Sequence, residues 1–339
     1  MDYELMRGRT VLVTGATGFI GSHLTEILTE LGADTRILIR QTSNMQYLQG
    51  CIDKLTIYKG DVTDRGSLTK ALKDIKMTGS NEPIIFHLAA QAHVKESWTI
   101  PHVSIQTNVV GTLNLLEAIK DIDLKIYKMT FAGSSEEYGN QPQIEQAGNA
   151  LNELSPIAPI SPYGVTKVSA DFLCQNYVDA YGIPISIVRM FNNFGPRQRL
   201  GFITPTIISQ ALSNPIIKLG DLRPRRDFLY VRDGAYGHIA TALGGIAGDV
   251  YCIGFGKTIS MADWADKIIK IGQKNQLWEK VDITLDTERF RPGNSELRWL
   301  KVDNSKLTRT TGWHTKYSWD EGLELTVKWF EKNRMLWRQ

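Results

Sequence analysis

Short apolar runs alternate with segments of helical period over the first 192 residues, the pattern of a parallel sheet whose strands are joined by crossover helices. TVLVTG (10–15), DTRILIR (34–40), KLTIYKG (54–60), PIIFHLAA (83–90), KIYKMTFAG (125–133) and PISIVRMFN (184–192) predict six strands. Apolar positions three and four apart predict helices at 20–31, 65–75, 103–120 and 163–181. Beyond Asn192 the rhythm loosens. NNFGPRQRLGFITP and GDLRPRRDFLYVRD, rich in Gly, Pro and Arg, predict loops around a second, smaller unit. GDVYCIGFG (248–256) predicts one more strand that returns to the first sheet, and SMADWADKIIKI and SWDEGLELTVKWFEKN predict amphipathic helices near the C-terminus. The expected fold is α/β: a doubly wound parallel sheet over 1–192, joined by 230–256, with a smaller α/β lobe over most of 193–339.

Composition changes this picture little. Of 339 residues, 42% are apolar and 22% charged, which is ordinary for a globular chain. A net charge of +3 is too small to point to nucleic acid or a membrane surface, although a mild positive field suits an anionic small molecule. Cys51, Cys174 and Cys252 are odd in number and far apart, so reduced thiols are expected rather than a disulfide framework. No signal-like or transmembrane run stands out, so the expectation is a soluble, cytoplasmic protein. No metal-ligand cluster is apparent.

Chemistry enters with the first strand. VLVTGATGFIGSHL sets Gly15, Gly18 and Gly21 in GxxGxxG spacing between a strand and a helix. Glycines there permit a tight turn and let a pyrophosphate approach the positive end of the helix, the mark of a Rossmann dinucleotide site. Gly15, Thr17, Gly18, Phe19, Ile20 and Gly21 are the expected contacts. Asp61 and Val62, after the third strand, fit either an adenine edge or a plain strand-end turn. An acid ending the second strand would receive the 2′-hydroxyl of NAD. Here the strand ends in Ile39 and Arg40, and Arg40 with Ser43 suits a 2′-phosphate. The expected cofactor is therefore NADP rather than NAD.

AGSSEEYG (132–139) puts two hydroxyls before two carboxylates at the end of the fifth strand, and SPYGVTK supplies Tyr163 and Lys167 one helical turn apart. A phenol of pKa about 10 needs about 4 kcal/mol of differential stabilisation to ionise near neutrality, which an adjacent ammonium and a positive nicotinamide can supply together. Ser134 would hydrogen-bond the reacting oxygen.

From VTGATGFIGSHL through FHLAAQAHV, TNVVGTLNLLEAI, GSSEEYG, SPYGVTK and RMFNNFGPRQ to RRDFLYVRD and RPGNSELRWL, the chain resembles the extended short-chain dehydrogenase/reductase family, in the branch that acts on nucleotide-linked sugars. The resemblance implies Ser134, Tyr163 and Lys167 as the catalytic trio, with Leu88, Ala89, Ala90 and Gln91 beside the cofactor. Glu136 suggests a step beyond hydride transfer. Once sugar C4 is a ketone, the C5 hydrogen is acidic, and a base can remove it while the C6 hydroxyl leaves as water. In this respect the chain is most similar to GDP-mannose 4,6-dehydratases. Ser135 stands where dTDP-glucose dehydratases carry Asp. Glu137 stands where these dehydratases often have an apolar residue, and the SSEEYG run also resembles some GDP-4-keto-6-deoxymannose reductases. A reductase or a 4-epimerase on the same substrate class is thus the alternative, and a non-catalytic NADP-binding protein a third reading. Gln91 and His93 lean towards the dehydratases.

On the substrate side, Asn192 is expected to end the sixth strand and, with Ser134, Ser135 and Glu136, to face the sugar or its phosphate. Arg226 and Arg291 suit a diphosphate, and Lys218 is a candidate contact to the base. Arg197 and Arg199 are weaker candidates, and Asn108 bends its helix, joins a water relay or caps a polar patch. The late tryptophans are expected in packing. By the resemblance, helices 103–120 and 163–181 form a homodimer or part of a homotetramer.

Overall fold

A computed structural model describes residues 1–79, 82–293 and 295–337. Seven strands form the central sheet: β1 (Thr10–Thr14), β2 (Asp34–Ile39), β3 (Thr56–Lys59), β4 (Ile84–His87), β5 (Lys128–Ser134), β6 (Ile185–Met190) and, after four short strands, Val250–Ile253. The short strands are β7 (Asn192–Phe194), β8 (Ile216–Leu219), β9 (Arg225–Arg226) and β10 (Phe228–Tyr230), which makes Val250–Ile253 β11. The sheet order is β11-β6-β5-β4-β1-β2-β3, and every pairing is parallel. Strands buried on both faces need continuous apolar runs, which is why VLVT, IIFH and ISIVRM are nearly unbroken.

The helices Arg65–Met77, Gly111–Asp121 and Pro162–Tyr181 bury Leu72, Leu116 and Cys174 against one face, and Phe19–Glu30 with Val231–Gly244 bury Leu24 and Ile239 against the other. β11 joins the sheet beside β6, as GDVYCIGFG predicts. A separate apolar cluster gathers Phe194, Phe228, Trp264 and Phe330, with the Phe228 and Trp264 rings stacked at 4.1 Å. Paired around it are β7 with β10, β8 with β13 (Asp282–Leu285), and β9 with β12 (Ile259–Ser260). Trp264 and Trp313 are fully buried and Trp299 nearly so, in keeping with packing roles. Cys51, Cys174 and Cys252 are buried free thiols. Among the described residues no helix is long and apolar enough to cross a membrane.

Three expectations change. The Gly-, Pro- and Arg-rich stretches expected as loops carry β7, β9 and β10 and the starts of helices Ile203–Ala211 and Val231–Gly244. β6 stops at Met190, and Asn192 instead opens β7, which pairs with β10 rather than with the sheet. The helix expected over 103–120 is interrupted: Pro101–Ile105 passes into a π-turn, Gln106–Val110, before Gly111–Asp121. Within this π-turn the buried amide of Asn108 reaches out to the loop after β4.

Candidate active site

β1 and β4 are sheet neighbours whose crossovers leave in opposite directions, and the loops after them meet at the switch point where such folds bind ligands. Gly15 has φ +74°, and a Cβ there would lie 2.7 Å from the backbone of Leu88 and Ala89. Gly21 would place a Cβ 2.1 Å from the Gly15 carbonyl, so both glycines are required for the loop to fold against its helix. Exposed Gly18 is the N-cap of Phe19–Glu30 and provides no capping side chain, which leaves the first amides of a 12-residue helix free for an anion. Thr17 lies on the same turn, half-buried, while Phe19 and Ile20 turn their side chains to the aromatic cluster around Phe194 and Trp264. Backbone amides at an uncapped helix start, with no Cβ in the way, fit a dinucleotide pyrophosphate.

Arg40 is exposed just past β2, and Ser43 closes the turn with its amide on the Arg40 carbonyl at 3.0 Å. The Asp61 carboxylate accepts from Thr63 within its own turn, the Asp61 backbone bonds Ser67, and Val62 is buried beneath Gly111 with its carbonyl accepting from Asn114. Gln91 is held through both its backbone and its side chain. Its amide and carbonyl pair with Asn108, its side-chain nitrogen donates to the His93 carbonyl and Glu96, and its oxygen accepts from Ser104. Asn108 also donates to Thr166 at 2.9 Å, tying the loop after β4 to the helix that carries Tyr163 and Lys167. Ala90 lies in that loop, half-buried.

β5 ends in Ser134, which caps the turn Ser135–Glu137 through a reciprocal pair: its hydroxyl accepts from the Glu136 amide at 3.2 Å, and its amide donates to Glu137 Oε1 at 2.7 Å. Helix Pro162–Tyr181 starts at Ser161, whose hydroxyl accepts from Gly164, and Pro162 presets its first turn. Gly164 lets that turn lie against the Glu136 carbonyl, where a Cβ would stand at 2.8 Å. Ser134, Tyr163 and Lys167 thereby converge, each less than a tenth exposed, and the Ser134 hydroxyl bonds the phenol. The ammonium of Lys167 donates to the Ala132 carbonyl at 2.7 Å and lies 5.9 Å from the centre of the Tyr163 ring.

The electrostatics of the chain alone differ from the sequence expectation. Burial pushes the Tyr163 phenol above its ordinary range; the Ser134 bond opposes this, while Glu136 and Glu137 add to it. Burial also lowers Lys167, to about 8, against the attraction of Glu137. The ammonium is directed at a backbone carbonyl and not at the phenol, so it does not by itself activate Tyr163.

Glu136, 9% exposed, accepts from both terminal nitrogens of Arg291 at 3.2 Å. Arg291 Nε lies 3.3 Å from Glu296, whose other oxygen takes Arg226 Nη2 at 2.6 Å. Burial lowers Arg291, and the two glutamates more than restore it; buried Arg226 is lowered. Arg291 thus meets Glu136 directly and Arg226 joins it through Glu296, so the partners of both in this structure are carboxylates. Glu296 was not singled out from the sequence; an acid five residues after Arg291 was its signal. Ser135 is buried beside Glu136, and Asn192 stands half-buried with a buried, unpartnered amide oxygen. Lys218 lies apart on β8 with an exposed side chain; its backbone bonds Gln210. Arg197 and Arg199 pair with Glu26 and Glu96. His93, edge-on to Phe202, caps Val94–Thr99.

The GDP-mannose 4,6 dehydratase family model matches residues 12–326. The chain belongs to this family, within the extended short-chain dehydrogenases/reductases. It is 30% identical to dTDP-D-glucose 4,6-dehydratase of Dictyostelium discoideum, over 96% of this chain and 82% of that one. The dTDP-glucose 4,6-dehydratase of Streptomyces venezuelae, solved with NAD bound, superposes with a TM-score of 0.84 at 28% identity, covering 97% of this chain and 98% of that one. A UDP-N-acetylglucosamine 4-epimerase of Methanobrevibacter ruminantium, in complex with UDP-N-acetylmuramic acid, gives 0.83 at 30% identity, over 96% and 99%.

Proposed function

We propose that the protein is a nucleotide-sugar 4,6-dehydratase with a self-restoring NADP cycle, acting on GDP-mannose or a close relative. The observation that carries this reading is Glu136: a carboxylate on the same turn as Ser134, buried beside Tyr163 and gripped by Arg291. The backbone of residues 15–21 would hold the pyrophosphate and Arg40 with Ser43 the 2′-phosphate of NADP, while residues 88–91 would line its nicotinamide side. When bound, the nicotinamide supplies reversible acceptance of a hydride. Tyr163, as a phenolate that Lys167 and the positive nicotinamide would stabilise together, takes the proton of the C4 hydroxyl as that carbon is oxidised, and Ser134 donates to the same oxygen. Glu136 then takes the C5 proton and delivers one to the departing C6 hydroxyl; to close the cycle C6 would regain the hydride and C5 a proton, matching the one that Tyr163 took from the C4 hydroxyl. Arg291 and Arg226 turn from their carboxylates to the diphosphate, which releases Glu136 for that work.

Support for GDP-mannose is the family match and Ser135 in the aspartate's place; the dTDP-glucose enzymes among its relatives make dTDP-glucose the first competitor. NADP is supported by the lack of an acid at the end of β2, whereas several solved relatives carry NAD. Val103 and Ile105 on Pro101–Ile105, with Val165 and Phe172 on Pro162–Tyr181, are exposed apolar side chains on the two segments proposed to meet in a homodimer. Mass spectrometry of GDP-mannose, dTDP-glucose and UDP-sugars incubated with protein and catalytic NADP⁺ or NAD⁺ tests the reading. Loss of one water without net cofactor reduction supports it and names the nucleotide. Unchanged masses, or an epimer of the same mass, overturn it.

A further inference from the structure

Behind Ser134 lies a sealed set of charges that the proposed reaction does not touch. Glu137 is fully buried; one of its oxygens accepts the Ser134 amide at 2.7 Å and the other lies 2.9 Å from Arg189 Nε. Arg189 interrupts the apolar strand β6 and also binds Asp171 at 2.9 Å, while Asp171 stands one helical turn beyond Lys167 and accepts from Gln175. Gly133 makes room for Glu137: a Cβ there would meet its Oε1 at 2.8 Å. A carboxylic acid in place of an apolar residue, with a glycine cut to fit it, is an expensive arrangement to keep without use.

We propose that Glu137 is a positioning residue for the Ser134–Tyr163–Lys167 site, anchoring the backbone of Ser134 and serving as the buried counter-charge that keeps Lys167 an ammonium. The proposal deepens the functional reading above and rests on it only for the assay of turnover. The groups that face Lys167 leave Glu137 in this role. Tyr163, Asp171 and Cys174 share its helix; Glu136 and Glu137 come from the turn after β5; His87 comes from β4, Arg189 from β6 and His238 from Val231–Gly244. Tyr138 and Cys252 sit behind Arg189 as neutral groups. Burial keeps His87 and His238 neutral and Arg291 holds Glu136, while Asp171 and Glu137 share the single guanidinium of Arg189, so one of their two charges is left for Lys167, and Glu137 is the one that acts on it. Burial and Asp171 raise Glu137, so it can give up its proton in the range where Lys167 would otherwise lose its own.

The test uses Glu137→Gln, which keeps an acceptor for the Ser134 amide but no charge, and Glu137→Asp, which keeps the charge. Lysine ¹³Cε NMR, with the Lys167 signal assigned by Lys167→Arg, reads the ammonium directly. In Glu137→Gln its loss of the proton moves to lower pH by about one unit, and Glu137→Asp brings it back toward wild type. The alkaline limb of the dehydration pH profile follows the same shift while the acid limb stays. An unmoved Lys167 midpoint in Glu137→Gln overturns the proposal, as does a fall in kcat at every pH with both limbs in place. The NMR arm holds whether or not any sugar nucleotide is turned over, so failure of the functional reading is told apart.

Discussion

The two faces of the turn Ser135–Glu137 make opposite use of the same side chain. On one face Glu136 meets Arg291, itself shared with Glu296, in a cluster that keeps some contact with solvent. On the other, Glu137 meets Arg189 with both side chains essentially sealed. A pair at the edge of a site can exchange partners when an anion arrives, because water and the ligand's phosphates compensate each charge as it moves. A sealed pair cannot: parting it strands a charge in a low-dielectric interior. Two adjacent glutamates are therefore assigned different work, one chemical and one positional, by what surrounds them.

The comparison can be broken most sharply at Glu136. Glu136→Gln is expected to lower water elimination by about 10²–10⁴-fold while cofactor binding persists, read by product mass and by fluorescence titration with NADPH. Elimination at the wild-type rate would move the base elsewhere. On the sealed face, Arg189→Met leaves two carboxylates with no cation between them. It is expected to cost about 3–5 kcal/mol of stability, measured by urea unfolding; a loss below 1 kcal/mol would mean the compartment admits water. Glu296→Gln is milder: Arg226 and Arg291 lose a shared partner at the open face, and the apparent KM for the sugar nucleotide should change by no more than about tenfold with kcat nearly kept.

The smallest effect concerns pH. Glu137 has its carboxyl raised on folding by burial and by Asp171. A group raised in this way contributes stability that is complete below the unfolded value of about 4.3 and disappears as pH rises through the folded one, here about 8. Between these limits the wild type should lose melting temperature relative to Glu137→Gln as pH rises. A constant difference across that window would show that Glu137 is already ionised at its lower end.

Much of this was legible before any coordinates. The alternation of strand and helix, the glycine turn after β1, the return of β11 and the pairing of Tyr163 with Lys167 on one helix are local properties. They are set by side-chain period, by φ at Gly15 and by a spacing of four residues. The cradle is built from backbone, so its signal is the absence of side chains at fixed spacing.

What the tertiary structure decided are the partners. Arg291 and Glu136 are 155 positions apart, and Arg226 and Glu296 are 70 apart. Charge and spacing alone made both arginines look free for phosphate. The loop that holds Gln91 is bound through Asn108 to Thr166, and Asn108 lies in a π-turn where ordinary helix was expected. The difference between Glu136 and Glu137 has the same origin. Neighbours in sequence and identical in chemistry, they end on opposite sides of one tight turn. The electrostatic energy of a carboxylate depends on which charges and how much water surround it, quantities that exist only once distant strands are packed together.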